Sequence, residues 1–171
     1  MGGKIYISNG VINLSEYISS IDDLDCYNCW NDEETQNGYN YRFAKSFEEW
    51  SADTANSPRF EATITRVSDN KRVGTIFLSS GELPDLAFMI YRPYRKQGYG
   101  TAAFALGAKY CLENLGINKI YAGCYLDNIA SVKILENCGF IPHPEGNIYE
   151  KHYLTGEDRV QHDFIKYSKS P

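Results

Sequence analysis

The chain of 171 residues is 43% hydrophobic and 23% charged, ordinary values for a globular protein long enough to bury a core. Its formal net charge of −5, with no basic stripe, argues against a nucleic-acid partner. No apolar run approaches the roughly 20 residues of a membrane span.

The opening stretch, MGGKIYISNG, has no continuous apolar segment, and Tyr6 stands where an N-myristoylation motif needs Ser or Thr. Neither a signal peptide nor a lipid anchor is expected, and the expected address is the cytoplasm. Cys26, Cys29, Cys111, Cys124 and Cys138 are odd in number and irregular in spacing, which argues against a disulfide framework. Cys26 and Cys29 form a CxxC that no second CxxC or spaced His pair completes, so thiols without a metal are expected there.

In chain order, residues 4–14 predict a short strand with its turn. Residues 15–54 predict irregular helical segments rich in acids and aromatics. Within 16–53 stand ten acidic and two basic residues, so this segment carries −8 and the remainder +3. Two readings stand: a solvated helical surface, or a field that draws a cationic substrate to one side of the domain. Tyr39, Tyr41 and Trp50 read as packing or as an aromatic wall for a cation. Residues 60–67 (FEATITRV) alternate, with Phe60, Ala62 and Ile64 on one face. After the polar turn Ser68-Asp69-Asn70-Lys71 the run 72–78 (RVGTIFL) returns, which predicts a β-hairpin. Residues 86–91 (LAFMIY) are nearly continuous and apolar, predicting a strand buried on both faces.

The period then changes. Over 100–115, Phe104, Ala108, Cys111, Leu112 and Leu115 recur at helical spacing, and Gly116 follows as a stop. Residues 119–125 (KIYAGCY) predict another strand. Asp127 or Asn128 then caps a helix with Val132, Leu135 and Cys138 facing inward and Gly139 at its end. Two extended stretches follow, near 147–154 and 162–168. No repeat, low-complexity tract or linker interrupts the chain, so 1–171 is expected to form one domain. The order β, helices, βββ, α, β, α, ββ predicts a mixed α/β sheet.

Between the apolar strand and the helix lies Arg95-Lys96-Gln97-Gly98-Tyr99-Gly100-Thr101. Two glycines at i and i+2 let the backbone approach a ligand closely. A helix start leaves N–H groups free, and its dipole favours negative charge. Arg95 and Lys96 add cationic charge. The constellation suits a pyrophosphate, or else a tight Gly-rich corner between strand and helix. It is not a Walker loop, because GK[ST] is missing. Nor is it a Rossmann fingerprint, because GxGxxG is incomplete and no acidic residue follows about 20 residues later on a second parallel strand.

The sequence here resembles the GNAT (GCN5-related) N-acetyltransferases, and within them the ribosomal-protein alanine acetyltransferase (RimJ/RimL-like) branch. The family signature R/Q-x-x-G-x-G/A at a helix start is matched at 95–100. The branch pattern N-x-x-S, then a short helix ending in GF, is matched at Asn128-Ile129-Ala130-Ser131 and Leu135-Glu136-Asn137-Cys138-Gly139-Phe140. The resemblance covers about residues 60–154. Residues 1–55 match nothing in it and are assigned to a substrate-side strand and helices. It implies an α/β, GNAT-like acyl-CoA N-acyltransferase fold, whose mostly antiparallel central sheet is splayed at the cofactor site and flanked by helices.

It also implies roles. Backbone amides of Gln97, Gly98, Tyr99, Gly100 and Thr101 would hold the pyrophosphate of acetyl-CoA. Strands 86–91 and 119–125 would part into a V for the pantetheine arm. The backbone of Phe88, Met89 and Ile90 would bond the cofactor and the thioester oxygen, and Asn128 would touch the pantetheine or position the next helix. The implied reaction moves an acetyl group to a primary amine, on a protein N-terminus or a small cationic molecule, by direct attack in a ternary complex. No metal is implied, and a homodimer is common in such enzymes. The alternative is a non-catalytic CoA-binding sensor or scaffold with the same fold; only the enzyme would release thiol when amines are added.

Such transfer requires an ammonium with a pKa of about 10 to lose a proton, and fixed donors for the oxyanion. The departing thiolate can take a proton from a general acid. Many members use a tyrosine seven residues after the motif asparagine, where this chain has Leu135. The branch proposes the serine of N-x-x-S, so Ser131 inherits the role; otherwise it is a first-turn serine bonding the backbone. His152 lies on the strand after the GF motif, where the branch places its basic residue, and imidazole suits proton removal near neutral pH. It reads as the base or as an exposed strand histidine, with Glu82 and Asp85 as competitors. His143 and His162 read as loop and edge positions.

Overall fold

Alternating apolar residues build a first sheet from five strands, paired antiparallel in chain order. They are β1 (Ile5–Ser8), β2 (Ile12–Glu16), β3 (Phe60–Arg66), β4 (Arg72–Leu78) and β5 (Leu86–Ile90). The computed structural model describes residues 3–53 and 57–169. Met1 and Gly2 of the opening stretch and Thr54, at the end of the expected helical segment, lie outside them. Between β2 and β3 come α1 (Ser19–Trp30), α2 (Glu33–Tyr39) and α3 (Phe47–Ala52). After β5 follow α4 (Tyr99–Glu113), β6 (Lys119–Cys124), α5 (Ile129–Asn137), β7 (Ile141–Pro142), β8 (Ile148–Lys151) and β9 (Asp158–Tyr167). The second sheet runs β6-β9-β7, and β8 pairs further along β9.

Register sets the faces. Ala62 pairs Ile76, which pairs Phe88, and Leu14 pairs Ile64. This face packs on Ala103, Phe104, Ala108 and Cys111 of α4, and the same core continues through Ile120, Ala122, Cys124, Phe140 and Phe164. The opposite face carries Thr63, Thr75, Phe77 and Met89, and α1 to α3 cover it: Met89 and Tyr91 share a smaller core with Cys26 and Cys29. That layer is polar for an interior, with Ser15, Asp22, Thr63, Thr65 and Thr75 all buried.

The expected hairpin over 60–78 and the helix after the glycine loop form as read. Residues 4–14 differ, because two strands form there and the second inserts beside β3. The strand over 86–91 is not buried on both faces: Ala87, Phe88 and Ile90 are half-exposed because they border an open cleft. Leu115 lies beyond the helix end and is 39% exposed. All five cysteines are free thiols. Among the described residues, no cluster of three or more His, Cys, Asp or Glu could hold a metal ion, and no helix is long and apolar enough to cross a membrane.

One feature of the topology makes the site. The two sheets meet where β5 begins, through a parallel bridge between Asp85 and Tyr121 and a bond from the Tyr121 N–H to the Pro84 carbonyl at 2.8 Å. Past that seam β5 and β6 part.

Candidate functional site

The split holds a cleft of about 610 Å³ lined from both faces of the sheet. On the α4 side its wall comprises Lys96, Gly98, Tyr99, Gly100 and Thr101 of the loop and helix start, with Asn128, Ser131 and Leu135 of the second motif. On the α2 side it is lined by Glu34, Thr35, Gly38, Tyr39, Phe77 and Ser79. Asp85, Ala122, Gly123, Tyr125 and Gln161 also line it, as do β5 and Arg95.

The loop is shaped for an anion. Gly98 is the N-cap of α4, with φ of 85° and no side-chain cap, so the first-turn N–H groups of the helix have no acceptor from that quarter. Lys96 also has positive φ, 60°, at a cost of about 1–2 kcal/mol for a residue with a Cβ. Gly100 is needed for a different reason: a Cβ there would lie 2.6 Å from the Phe88 ring. Lys96 and Gln97 are exposed beside this corner. Lys96, Gly98, Tyr99, Gly100 and Thr101 line the same cleft as Asn128 and Ser131, and Gln97 does not.

Arg95 also lines the cleft, but its side chain is engaged away from the loop. Its guanidinium is only 16% exposed and turned to the α2 side, 2.5 Å from Asp32 and 3.0 Å from Glu34. Nε donates to the Ile90 carbonyl at 2.9 Å, and Nη2 to Thr35 Oγ1 at 3.0 Å. The loop's own free cation is therefore Lys96, and Arg66 stands near it, donating to the Tyr99 hydroxyl at 3.2 Å.

The edge of β5 can be counted group by group. Tyr91 N–H bonds the Val73 carbonyl on β4, and alternation directs the Met89 backbone the same way. Phe88 and Ile90 therefore turn their backbone groups to the cleft, and Met89 does not. The Phe88 carbonyl accepts from the Tyr39 hydroxyl at 2.7 Å, and the Ile90 carbonyl is held by Arg95. What remains toward the cleft is a pair of donors, the N–H groups of Phe88 and Ile90.

Asn128 caps α5, its Oδ1 accepting from Ser131 N–H at 3.2 Å, and Ser131 is half-buried in the cleft wall. At the seam, burial foremost, and then the charge of Asp163, raise the Asp85 carboxyl to about 7. Glu82 is exposed and borders a different hollow, with Arg59 and Lys119. His152 stands in the turn after β8, outside the cleft wall. Its Nδ1 accepts the N–H groups of Leu154 and Thr155 at 3.1 and 3.3 Å, and its Nε2 lies 3.1 Å from Asn37 Oδ1. His143 pairs with Asp163 at 2.7 Å, and His162 lies 3.5 Å from Asn147.

Some acids of the 16–53 segment are neutralised by ion pairs, Asp32 and Glu34 with Arg95 among them. Asp22 is fully buried with both oxygens 2.9 Å from Arg72, and Asp53 pairs with Lys45. Of the three aromatics expected to pack or to face a cation, Tyr39 alone among them reaches the cleft; Trp50 packs under α1. Sequence reasoning did not single out Tyr125 or Gln161. Tyr125 bonds Glu150 at 2.5 Å and lies under the Arg159 guanidinium, 3.4 Å from the ring centroid. The available signal was parity, since Tyr121, Gly123 and Tyr125 alternate to the seam's face of β6.

A family model described as the acetyltransferase (GNAT) domain matches residues 12–141. No curated protein sequence matches significantly. Among solved structures, the spermidine N-acetyltransferase of Vibrio cholerae, in complex with CoA and spermine, superposes with a TM-score of 0.78 at 16% identity, covering 94% of this chain and 97% of its own. The ribosomal-protein-S5-alanine acetyltransferase of Vibrio fischeri gives 0.74 at 16%, covering 96% and 98%. A GNAT-family acetyltransferase of Bacillus anthracis gives 0.73 at 14%, covering 99% and 100%. At these identities the superpositions speak to the fold.

Proposed function

Because the chain belongs to the GNAT acetyltransferase family, we propose that its cleft binds acetyl-CoA from the α4 side and an amine from the α2 side, and acetylates the amine by direct attack. The observation that carries this reading is that one cleft is lined from both faces of the sheet, so each substrate can have its own side. The acceptor is a primary amine, on a protein N-terminus or a small cation. We read 1–171 as one acetyltransferase domain, since a single apolar core draws on both sheets.

The corner fits a diphosphate: uncapped N–H groups at a helix start, a left-handed glycine, and no room for a side chain at Gly100. Gln97 to Thr101 would hold it, Lys96 adding charge. The N–H groups of Phe88 and Ile90 are aimed where the thioester oxygen gains charge, which is the use of fixed donors in acyl transfer. The thioester supplies an activated acetyl group and a leaving thiolate. Ser131 stands on the α4 side of the cleft, where it can give that thiolate a proton. For the base we assign Asp85 rather than His152, because Asp85 lines the cleft and burial matches its proton affinity to neutral pH. His152 has both ring nitrogens engaged in its turn.

The test is a panel of amines incubated with acetyl-CoA and the protein, following free CoA thiol. Release above the hydrolysis rate with at least one primary amine is expected, and Gly98→Val should abolish CoA binding while the fold survives. Tight CoA binding by that variant would move the diphosphate elsewhere. Binding without thiol release for any amine would leave a CoA-binding protein without catalysis.

A further inference from the structure

α2 spans the split between the two sheets and is fastened at both ends. At its start Arg95 bonds three groups around the first turn, on Asp32, Glu34 and Thr35, while its Nε holds the β5 carbonyl of Ile90. At its end Asn40, with φ of 52°, donates to the Lys151 carbonyl at 2.8 Å and accepts from Tyr153 N–H at 2.9 Å. Tyr39 adds its bond to the Phe88 carbonyl. The helix that forms one wall of the acceptor mouth is thus tied to the glycine loop by one side chain.

We propose that Arg95 is a positioning residue that couples the binding of acetyl-CoA to the binding of the acceptor amine. The proposal rests on the reading of the cleft as an acetyl-transfer site. Arg95 immediately precedes Lys96, whose backbone is held in the left-handed region, so whatever fixes the loop fixes the root of the Arg95 side chain. The guanidinium fork is planar and rigid, and it meets two carboxylates, a hydroxyl and a carbonyl at once; lysine has no such geometry. Arg95 and Asp32 are 16% and 15% exposed, so solvent and salt screen this pair less than an ordinary surface pair. An anion bound at 96–101 orders the loop, and through the strut it orders α2. The amine then meets a wall already in place and loses less in ordering it.

Amide hydrogen exchange with CoA alone as the probe tests this in the wild type, Arg95→Gln and Asp32→Asn. In the wild type CoA should slow exchange both at 96–101 and at Glu33–Tyr39. In either variant the slowing should persist at 96–101 and vanish from α2. In turnover, Arg95→Gln should raise the acceptor KM about tenfold while CoA affinity changes less than about threefold, and Arg95→Lys should not restore it. Unchanged α2 exchange in the wild type overturns the proposal. So does loss of protection at 96–101 in Arg95→Gln, which would make Arg95 a diphosphate ligand. If Arg95→Gln does not fold, Asp32→Asn keeps the arginine and gives the same comparison. The two readings fail separately: an α2 that responds to CoA in a protein releasing no thiol sinks the transferase and leaves the strut.

Discussion

At the scale of single residues, environment decides which carboxylate can work. Glu82 and Asp85 stand three positions apart, yet one is exposed and the other lies at the seam, desolvated and raised to about 7. A base at that value is half ionised near neutrality, and only the ionised form accepts a proton. The rate constant kcat/KM should therefore climb as pH rises through about 7 and level off above it. Asp85→Asn should lower kcat by about 10²- to 10⁴-fold with CoA affinity retained. A flat wild-type profile between pH 6 and 8 would remove Asp85 from the role. The sequence offered Asp85 only as one of three competitors, because its burial at the seam beside Tyr121 and the nearby charge of Asp163 involve strands distant in the chain. The glycine loop was legible because its chemistry is local: a left-handed Gly98 and a small Gly100 at a helix start.

At the scale of elements, the caps and the contacts around α2 carry the arrangement. The sequence left the helix start to Asp127 or Asn128, and it is Asn128 that caps α5. Asn128→Ala should cost about 1 kcal/mol in denaturant unfolding and weaken CoA binding through Ser131 and the cleft wall. His152 was read from the family's order of motifs, and such an order carries no information about which way a turn points its ring. Here the ring supports the turn and abuts Asn37. His152→Ala should leave the pH–rate profile unchanged while raising the acceptor KM severalfold through a looser α2; a shifted profile would return it to the chemistry. The second strand of the first hairpin, the two-residue β7 and the packing of α1 to α3 were not legible. Each depends on pairing across long separations rather than on local periodicity.

At the scale of the whole molecule, the first sheet is covered on both faces, and the α1 face encloses a titratable group. Glu61 lies there opposite Phe77, its carboxyl raised to about 7, by burial first and then by Asp23 and Asp22. Its folded value lies above the unfolded one, so its contribution to stability is full at pH below about 4 and is lost as pH rises through about 7. The melting temperature should fall between pH 5 and 8. Glu61→Gln should remove on the order of 1–3 kcal/mol of that fall, or several degrees, read by calorimetry across pH. An identical slope in the variant would place the linkage elsewhere. The lining of the cleft from both faces of the sheet also bears on traffic through it. On the proposed reading spent CoA backs out on the α4 side while the acetylated amine departs past α2, so neither product waits for the other. Added product amide should compete with the amine and leave the apparent affinity for acetyl-CoA nearly untouched.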